Sequence, residues 1–219
     1  GASSYVGRHL IARLQPENVL ATHRANPVPN GVYFDSLDMR LDQIIGDPDA
    51  YSHAVILLGD TEPDSCYQDP AKSNATNFES VCSVFDQLSD LGIKPIFTSS
   101  EFVFDGENGA YVETDDANPI LLYGEQKLKA EQYLADSGAP HTILRLSKVY
   151  GDDIDDGTLF SGWLTGLRSG MTMKCAADQA FSPVFVGDVV AAILQTIERN
   201  LNGLYHVSGN QHFRRIELL

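Results

Sequence analysis

Residues 81–100 read Val-Cys-Ser-Val-Phe-Asp-Gln-Leu-Ser-Asp-Leu-Gly-Ile-Lys-Pro-Ile-Phe-Thr-Ser-Ser. Val81, Val84, Phe85, Leu88 and Leu91 recur at helical spacing and share one stripe. Gly92 follows the last of them, where a helix stop favours a residue that tolerates positive φ. Pro95-Ile96-Phe97-Thr98 is then a short apolar run without polar alternation. A strand of that kind is covered on both faces of its sheet.

The same rhythm extends in both directions. Upstream, residues 18–22 (Asn-Val-Leu-Ala-Thr), Val32-Tyr33-Phe34 and the run from His53 to Leu58 read as short strands. Val6, Leu10, Ile11 and Leu14 form a helical stripe before them. Downstream, Tyr123 to Ala135 reads as a helix ending near Gly138, and Thr142 to Leu146 as a strand. Val189, Val190, Ile193 and Ile197 mark a further helix, with Asp188 as its N-cap candidate. This alternation predicts an α/β fold built on a doubly wound parallel sheet of the Rossmann type. Residues 150–183 break the rhythm. Asp152, Asp153, Asp155, Asp156 and Gly157 form an acidic, turn-rich stretch, expected to be a loop leading into a short helix around Gly162 to Leu167.

Composition narrows the function classes. The 219 residues suffice for one sizeable α/β domain with a small lobe. Hydrophobic residues make up 43% and charged residues 21%, as in ordinary globular chains. No apolar run approaches the roughly 20 residues of a membrane span, and no secretory leader is expected. The formal net charge of −15 repels phosphate backbones, so nucleic acid is not an expected partner. Cys66, Cys82 and Cys175 lack zinc or redox spacing, and the histidines form no HExxH pattern. Buried free thiols in a reducing cytoplasm are expected, and no metal.

Two motifs carry chemistry. The chain opens Gly1-Ala2-Ser3-Ser4-Tyr5-Val6-Gly7, close to the glycine turn that lets a dinucleotide pyrophosphate approach a helix N-terminus. Ser4 stands where the middle glycine is usual. No strand precedes Gly1, so the sequence as given is expected to start inside the domain. The second motif is Tyr123-Gly124-Glu125-Gln126-Lys127, with tyrosine and lysine at i and i+4 on one helix face. An ammonium beside a phenol favours the phenolate and lowers the tyrosine pKa, which makes tyrosine a usable proton donor to a carbonyl. Chance also produces a tyrosine and a lysine at this spacing, so position decides. The strand from Ile96 ends in Thr98, Ser99 and Ser100, at the carboxyl edge where open α/β sheets bind ligands.

The runs TSSEFVFDG and YVETDDANPILLYGEQKLKAE resemble the active-site region of the extended short-chain dehydrogenases/reductases, within the NAD-dependent epimerase/dehydratase superfamily. The most similar branch is that of the dTDP-4-dehydrorhamnose reductases. The resemblance implies Ser100, Tyr123 and Lys127 as the catalytic set. It implies cofactor contacts at Gly1, Ser3, Ser4, Tyr5, Val6, His23, Arg24, Asp38, Met39, Leu58, Gly59, Asn77, Thr98, Tyr123, Lys127, Ser147 and Val149. Asn77 is expected at the start of its helix. Substrate contacts are implied at Ser100, Glu101, Phe102, Val103 and Gln179, where Glu101 and Phe102 replace the branch's usual Asp-Tyr. Arg145, Lys148, Arg168 and Lys174 are candidates for diphosphate contacts. Leu204 to Gly209 matches a late strand of the substrate lobe.

The implied organisation is a dinucleotide-binding domain over 1–150, with 182–200 returning to it. A small substrate-binding lobe takes 151–181 and 201–219, with more of it expected beyond Leu219. The implied activity is NAD(P)H-dependent reduction of a keto group on a nucleotide-linked sugar, in the cytoplasm and by a homodimer. The alternatives are an epimerase or dehydratase using bound NAD+, and a non-catalytic NADP-binding regulatory subunit. Thr22-His23-Arg24 stands where NAD-preferring members carry an acid, and a guanidinium there binds a 2′-phosphate. NADP(H) is therefore the preferred cofactor, with NAD(H) as the alternative.

Overall fold

The computed structural model describes all residues from 1 to 219 except Asp155. The part of the expected acidic turn at Asp155 lies outside the described residues. The elements are α1 (Tyr5–Ile11), β1 (Thr22–His23), β2 (Val32–Tyr33), β3 (His53–Ile56), α2 (Pro63–Gln68), α3 (Pro70–Asn74), α4 (Ser80–Asp90), β4 (Lys94–Ser100), α5 (Leu122–Asp136), β5 (Thr142–Leu146), β6 (Val149–Tyr150), α6 (Leu159–Arg168), β7 (Ala180–Phe181), β8 (Val184–Phe185), α7 (Val186–Glu198), β9 (Gly203–Val207), β10 (Phe213–Arg214) and α8 (Arg215–Leu218).

The central sheet is parallel throughout, in the order β3-β4-β5-β9. Its strands are buried on both faces. In β4, Ile96 joins one core cluster and Phe97 the other, and Ile143 and Leu144 in β5 divide the same way. Phe97 and Ile143 meet Val81, Val84, Phe85 and Leu88 of α4 and Ala130 and Leu134 of α5. Ile96 and Leu144 meet Leu10 of α1 and Val189, Val190 and Ile193 of α7. Successive strand residues point to opposite faces, so a continuous apolar run serves two helical layers at once. This is the doubly wound α/β arrangement. Two parallel pairs, β1–β2 and β6–β8, and the antiparallel pair β10–β7 flank it.

The stretch around Gly92 behaves as its sequence dictates. Gly92 has φ +70°, its N–H donates to the Ser89 carbonyl at 3.1 Å, and the Ile93 N–H donates to the Leu88 carbonyl at 2.9 Å. These two bonds satisfy carbonyls at the end of α4, and Ile93 packs beside Leu88 in the core.

Several expectations need correction. The strand expected at 18–22 shrinks to Thr22–His23, because Pro16–Asn18 is a 3-10 turn and the ladder pairs Thr22 with Val32 and His23 with Tyr33. The run from His53 leaves the sheet after Ile56, on its way to Gly59 at φ +136°. Asp188 is not an N-cap: α7 starts at Val186 directly after β8, and Asp188 sits in its first turn, where a carboxylate suits the positive end of the helix. The strand at Leu204, matched to the substrate lobe, is β9 of the central sheet, paired with β5 from Gly203↔Thr142 to Val207↔Leu146. Cys66 and Cys82 are buried free thiols, but Cys175 is half-exposed. Among the described residues, no helix is long and apolar enough to cross a membrane.

Candidate active site

The carboxyl end of β4 builds the site. Ile96 and Phe97 are fully buried and fix the strand, so Thr98, Ser99 and Ser100 emerge in sequence at the sheet edge. The Thr98 hydroxyl donates to the Ile56 carbonyl at 2.8 Å and ties β4 to the end of β3. Ser100 is the last strand residue, and its Oγ accepts from the Phe102 N–H at 3.3 Å, which starts a 3-10 turn over Glu101–Val103. The ring of Phe102 stands edge-on to Tyr123, with centroids 5.9 Å apart.

Helix α5 brings Tyr123 and Lys127 to that edge. Both are buried, with 5% and 3% exposure, and Ser100 is at 8%. Lys127 Nζ donates to the Thr98 carbonyl at 3.1 Å and lies 4.7 Å from the Phe97 ring centroid and 5.8 Å from that of Tyr123. Ser100, Tyr123 and Lys127 line one cleft.

Electrostatics here depart from the simple expectation. Burial pushes the Tyr123 phenol above its ordinary value, and the Ser100 hydroxyl, which hydrogen-bonds it, works the other way. Burial also lowers Lys127 to about 8, opposed by the carboxylate of Glu131. Desolvation thus dominates both groups, because both are withdrawn from water. Glu101 lines the same cleft. Burial raises its carboxyl, while the Ser147 hydroxyl, donating at 2.7 Å, and the nearby Lys148 lower it.

A buried polar network backs the site. Gln126, fully buried between Tyr123 and Lys127, accepts from Ser73 Oγ at 2.8 Å and from Asn77 Nδ2 at 2.9 Å. Asn77 Oδ1 accepts from the Asp60 N–H at 2.7 Å, and its Nδ2 donates to the Asp60 carbonyl at 3.1 Å. Asn77 lies in a π-helical turn, Ala75–Glu79, between α3 and α4, and not at a helix start. Such turns widen a helix locally and often mark functional sites. The turn aims Asn77 at the strand end, where a Cβ on Gly59 would lie 2.8 Å from its Oδ1.

The opening turn lies across the cleft. Ser4, in the place of a glycine, is the N-cap of α1, and its Oγ accepts from the Gly7 N–H at 3.1 Å. A Cβ on Gly7 would come within 2.4 Å of the Gly1 carbonyl oxygen, so α1 presses against the turn. The Tyr5 hydroxyl donates to Asp156 Oδ2 at 3.1 Å and ties this turn to the start of α6. Burial, then the Asp156 carboxylate, push its phenol up to about 12.

The structure gathers Ser4, Tyr5, Val6, Leu58, Thr98, Ser100, Glu101, Phe102, Tyr123, Lys127, Ser147 and Val149 around one cleft, while Gly1 and Ser3 are outside its lining. Gly59 and Asn77 are outside its lining, with Gly59 against the Asn77 amide and near Lys127. Outside the cleft lining, Arg24 pairs with Asp35 at 3.6 Å and His23 stacks edge-on to Tyr33 at 6.3 Å. Asp38 is exposed, and Met39 packs on the core. Val103 is fully buried in the interior and does not line the cleft. Gln179 also lies outside the lining, and its amide oxygen accepts from Arg215 at 2.8 Å. Arg145 is no diphosphate contact, because it is buried against Glu131 at 2.7 Å. Lys148 does line the cleft, whereas Arg168 and Lys174 are exposed elsewhere. Leu57, Thr61, Glu62, Thr158 and Leu159 also line it and were not singled out in the sequence, which gives loop residues no period to reveal them.

The residues present fit a dinucleotide. Gly7 and Gly59 stand where a β-carbon would collide, the buried Ser99 hydroxyl in the cleft has no hydrogen-bond partner, and apolar Leu58, Val6 and Val149 face Ser4, Ser147 and Lys127. That mixture suits a ligand with flat rings and phosphates.

Comparison with known proteins agrees with this architecture. The chain is 34% identical over 152 residues to a probable low-salt glycan biosynthesis reductase, Agl14, of Haloferax volcanii, covering 68% of this chain and 51% of that protein. It is 25% identical to methionine adenosyltransferase 2 subunit beta of Xenopus tropicalis over 100% of this chain and 68% of that one. In fold it matches a dTDP-4-dehydrorhamnose reductase of Bacillus anthracis, solved in complex with NADP, with a TM-score of 0.80 at 21% identity, covering 99% of this chain and 75% of that one. The chain therefore spans about half of the Haloferax protein and about two-thirds of the Xenopus one. The family described as the RmlD substrate binding domain matches residues 1–218, and this chain belongs to that family, a branch of the extended short-chain dehydrogenases/reductases.

Proposed function

We propose that this chain reduces a keto group on a nucleotide-linked sugar, with NADP(H) as cofactor. The observation that carries the reading is the convergence of Ser100, Tyr123 and Lys127 on one cleft at the carboxyl edge of the sheet, opposite the turn capped by Ser4. The 34% identical relative is named a reductase, and the Bacillus neighbour holds NADP.

A bound dihydronicotinamide supplies the hydrogen and electron pair that the carbonyl carbon takes up. Ser100 donates a hydrogen bond to the carbonyl oxygen and orients it. Tyr123 passes its phenolic proton to that oxygen as negative charge builds there. Lys127, now held by the Thr98 carbonyl, provides the positive charge that stabilises the phenolate left behind and a donor for the nicotinamide ribose. Ser4, Tyr5 and Val6 take the pyrophosphate side, and His23, Arg24, Asp38 and Met39 the adenosine end. Glu101 and Phe102 face the substrate, with a second polar contact at Ser147.

In this reading residues 1–150 and 182–200, together with β9, hold the dinucleotide. Residues 151–181 wall the substrate side. A cytoplasmic homodimer goes with the reading, and sedimentation tests the dimer. Dehydratases of related branches tend to carry an Asp-Glu pair just after the serine, and here Glu101 is followed by Phe102, which favours reduction over dehydration. The likeness to an adenosyltransferase subunit supports a second reading, a cofactor-binding regulatory subunit. The buried hydroxyl–phenol–ammonium set argues for turnover, since a pure binding module needs no such set.

Tyr123→Phe should lower turnover on the order of a hundredfold or more while dinucleotide binding persists. Consumption of NADPH by the unaltered protein with a panel of nucleotide-linked keto sugars is the companion measurement. Near-normal turnover in Tyr123→Phe rejects the assignment. Binding of NADPH without oxidation by any such sugar favours the regulatory reading.

A further inference from the structure

We propose that Glu131 is a positioning residue that keeps Lys127 charged, and that Arg145 sets the strength of its hold by clamping the same carboxylate. The proposal rests on the reading of Ser100, Tyr123 and Lys127 as the catalytic set.

Lys127 and Glu131 stand four residues apart on the buried face of α5, so one helical turn separates them. Each is 3% exposed. Arg145 reaches across from β5. Its Nε lies 3.1 Å from both carboxylate oxygens and its Nη2 2.7 Å from Oε2. The remaining Nη1 is buried without a hydrogen-bond partner, and the guanidinium lies 5.0 Å from the Phe104 ring centroid. Two buried cations thus flank one buried carboxylate: Arg145 bonds it directly, and Lys127 stands one helical turn away on α5. The surplus positive charge emerges at the cleft, where Lys127 is the member of the three that lines it.

The groups around Lys127 single out Glu131. From β4 come the Thr98 carbonyl and the Phe97 ring, both neutral. Cys66 acts from α2, and Tyr123 stands on the same helix. Asp60 and Glu62, after β3, act on Tyr123. Burial by itself drives an ammonium towards the neutral amine, and Glu131 is the buried carboxylate that opposes it. Arg145 holds both carboxylate oxygens, and its positive charge offsets theirs and limits how far the carboxylate can serve Lys127. A buried pair that merely tied α5 to β5 would have no such consequence, since ion pairs of this kind are weak evidence for stability.

The two roles separate by sign. Lysine labelled with 13C at Cε can be titrated in the free protein by NMR, with the Lys127 resonance assigned by its loss in Lys127→Arg. The expected midpoint is about 8. In Glu131→Gln it should fall by roughly one pH unit, because the carboxylate is gone while Arg145 remains. In Arg145→Gln it should rise, because the carboxylate then serves Lys127 alone. Should either variant fail to fold, Glu131→Asp and Arg145→Lys carry the test, with a smaller fall expected in the first and little movement in the second. Midpoints that stay put in the carboxylate variants, or shift the same way in Glu131→Gln and Arg145→Gln, overturn the proposal. The titration uses neither cofactor nor sugar, so its failure is distinct from retained turnover in Tyr123→Phe, which would sink the catalytic reading instead.

Discussion

A β-carbon on Gly124 would lie 2.0 Å from the carbonyl oxygen of Phe102. Helix α5 therefore meets the turn after Ser100 backbone against backbone, and the glycine inside the Tyr123-Lys127 motif sets how closely phenol and serine approach. Gly124→Ala must push the helix and the turn apart. The expected loss is about 1 to 3 kcal/mol of stability, with a larger proportional loss of turnover than of folded protein. Thermal unfolding beside steady-state kinetics checks it. Unchanged turnover in a folded Gly124→Ala protein would show that this contact does not position the tyrosine.

Asn77→Ala should uncouple the π-helical turn from the strand end. Asn77 is fully buried, and its loss leaves the Asp60 N–H without its 2.7 Å acceptor and Gln126 with Ser73 alone. Unpaired buried polar groups make the expected cost about 2 to 4 kcal/mol in denaturant unfolding. Dinucleotide affinity should fall as well, since Gly59 loses the amide that braces it.

The loop from Asp105 to Asn118 should loosen in acid. The Tyr111 hydroxyl, the Glu107 N–H and Asn118 Nδ2 donate to Asp105 and hold its carboxyl at about 2, below the ordinary 3.8. A depressed acid stabilises the fold fully above its unfolded value and ceases to do so as pH falls through the folded one. The loop should thus open between about pH 4 and pH 2, read by NMR as loss of the Tyr111 ring shifts that stacking on Phe104 produces. Asp105→Asn should remove that pH dependence. If the same transition persists in Asp105→Asn, another group controls the loop.

Cofactor choice should turn on Arg24. Its guanidinium is about half exposed and its partner Asp35 is 3.6 Å away, a loose pair that a 2′-phosphate can replace with charge-assisted bonds. Arg24→Ala should weaken NADPH binding about tenfold with NADH unaffected. Asp35→Asn should strengthen NADPH binding by removing the competing carboxylate. Tighter binding of NADH than of NADPH in the unaltered protein would reverse the preference.

Much of the fold was legible because apolar spacing is a local property. The stripe from Val81 to Leu91, the stop at Gly92 and the buried run at Ile96-Phe97 each appear in the structure as read. That Ser100, Tyr123 and Lys127 would meet at one cleft was legible too, since they sit at the end of a strand and at i and i+4 of one helix. The role of Leu204 to Val207 was not, because joining β5 is a choice of neighbour that alternation does not encode. Nor was Arg145, which as a lone basic residue in a strand resembles a ligand contact until Glu131 is seen opposite.

By itself the sequence determined the main helical stripes and the buried apolar strands, that the sheet would be covered on both faces, and which hydroxyl, phenol and ammonium would reach its carboxyl edge. Periodicity and residue chemistry act over a few residues, so these follow without knowledge of distant neighbours. Tertiary structure decided the electrostatics: which charges are buried together, how far desolvation moves Tyr123 and Lys127, and which carboxylate answers. Those energies depend on distance and solvent exclusion between residues remote in the chain, and only the folded packing sets them.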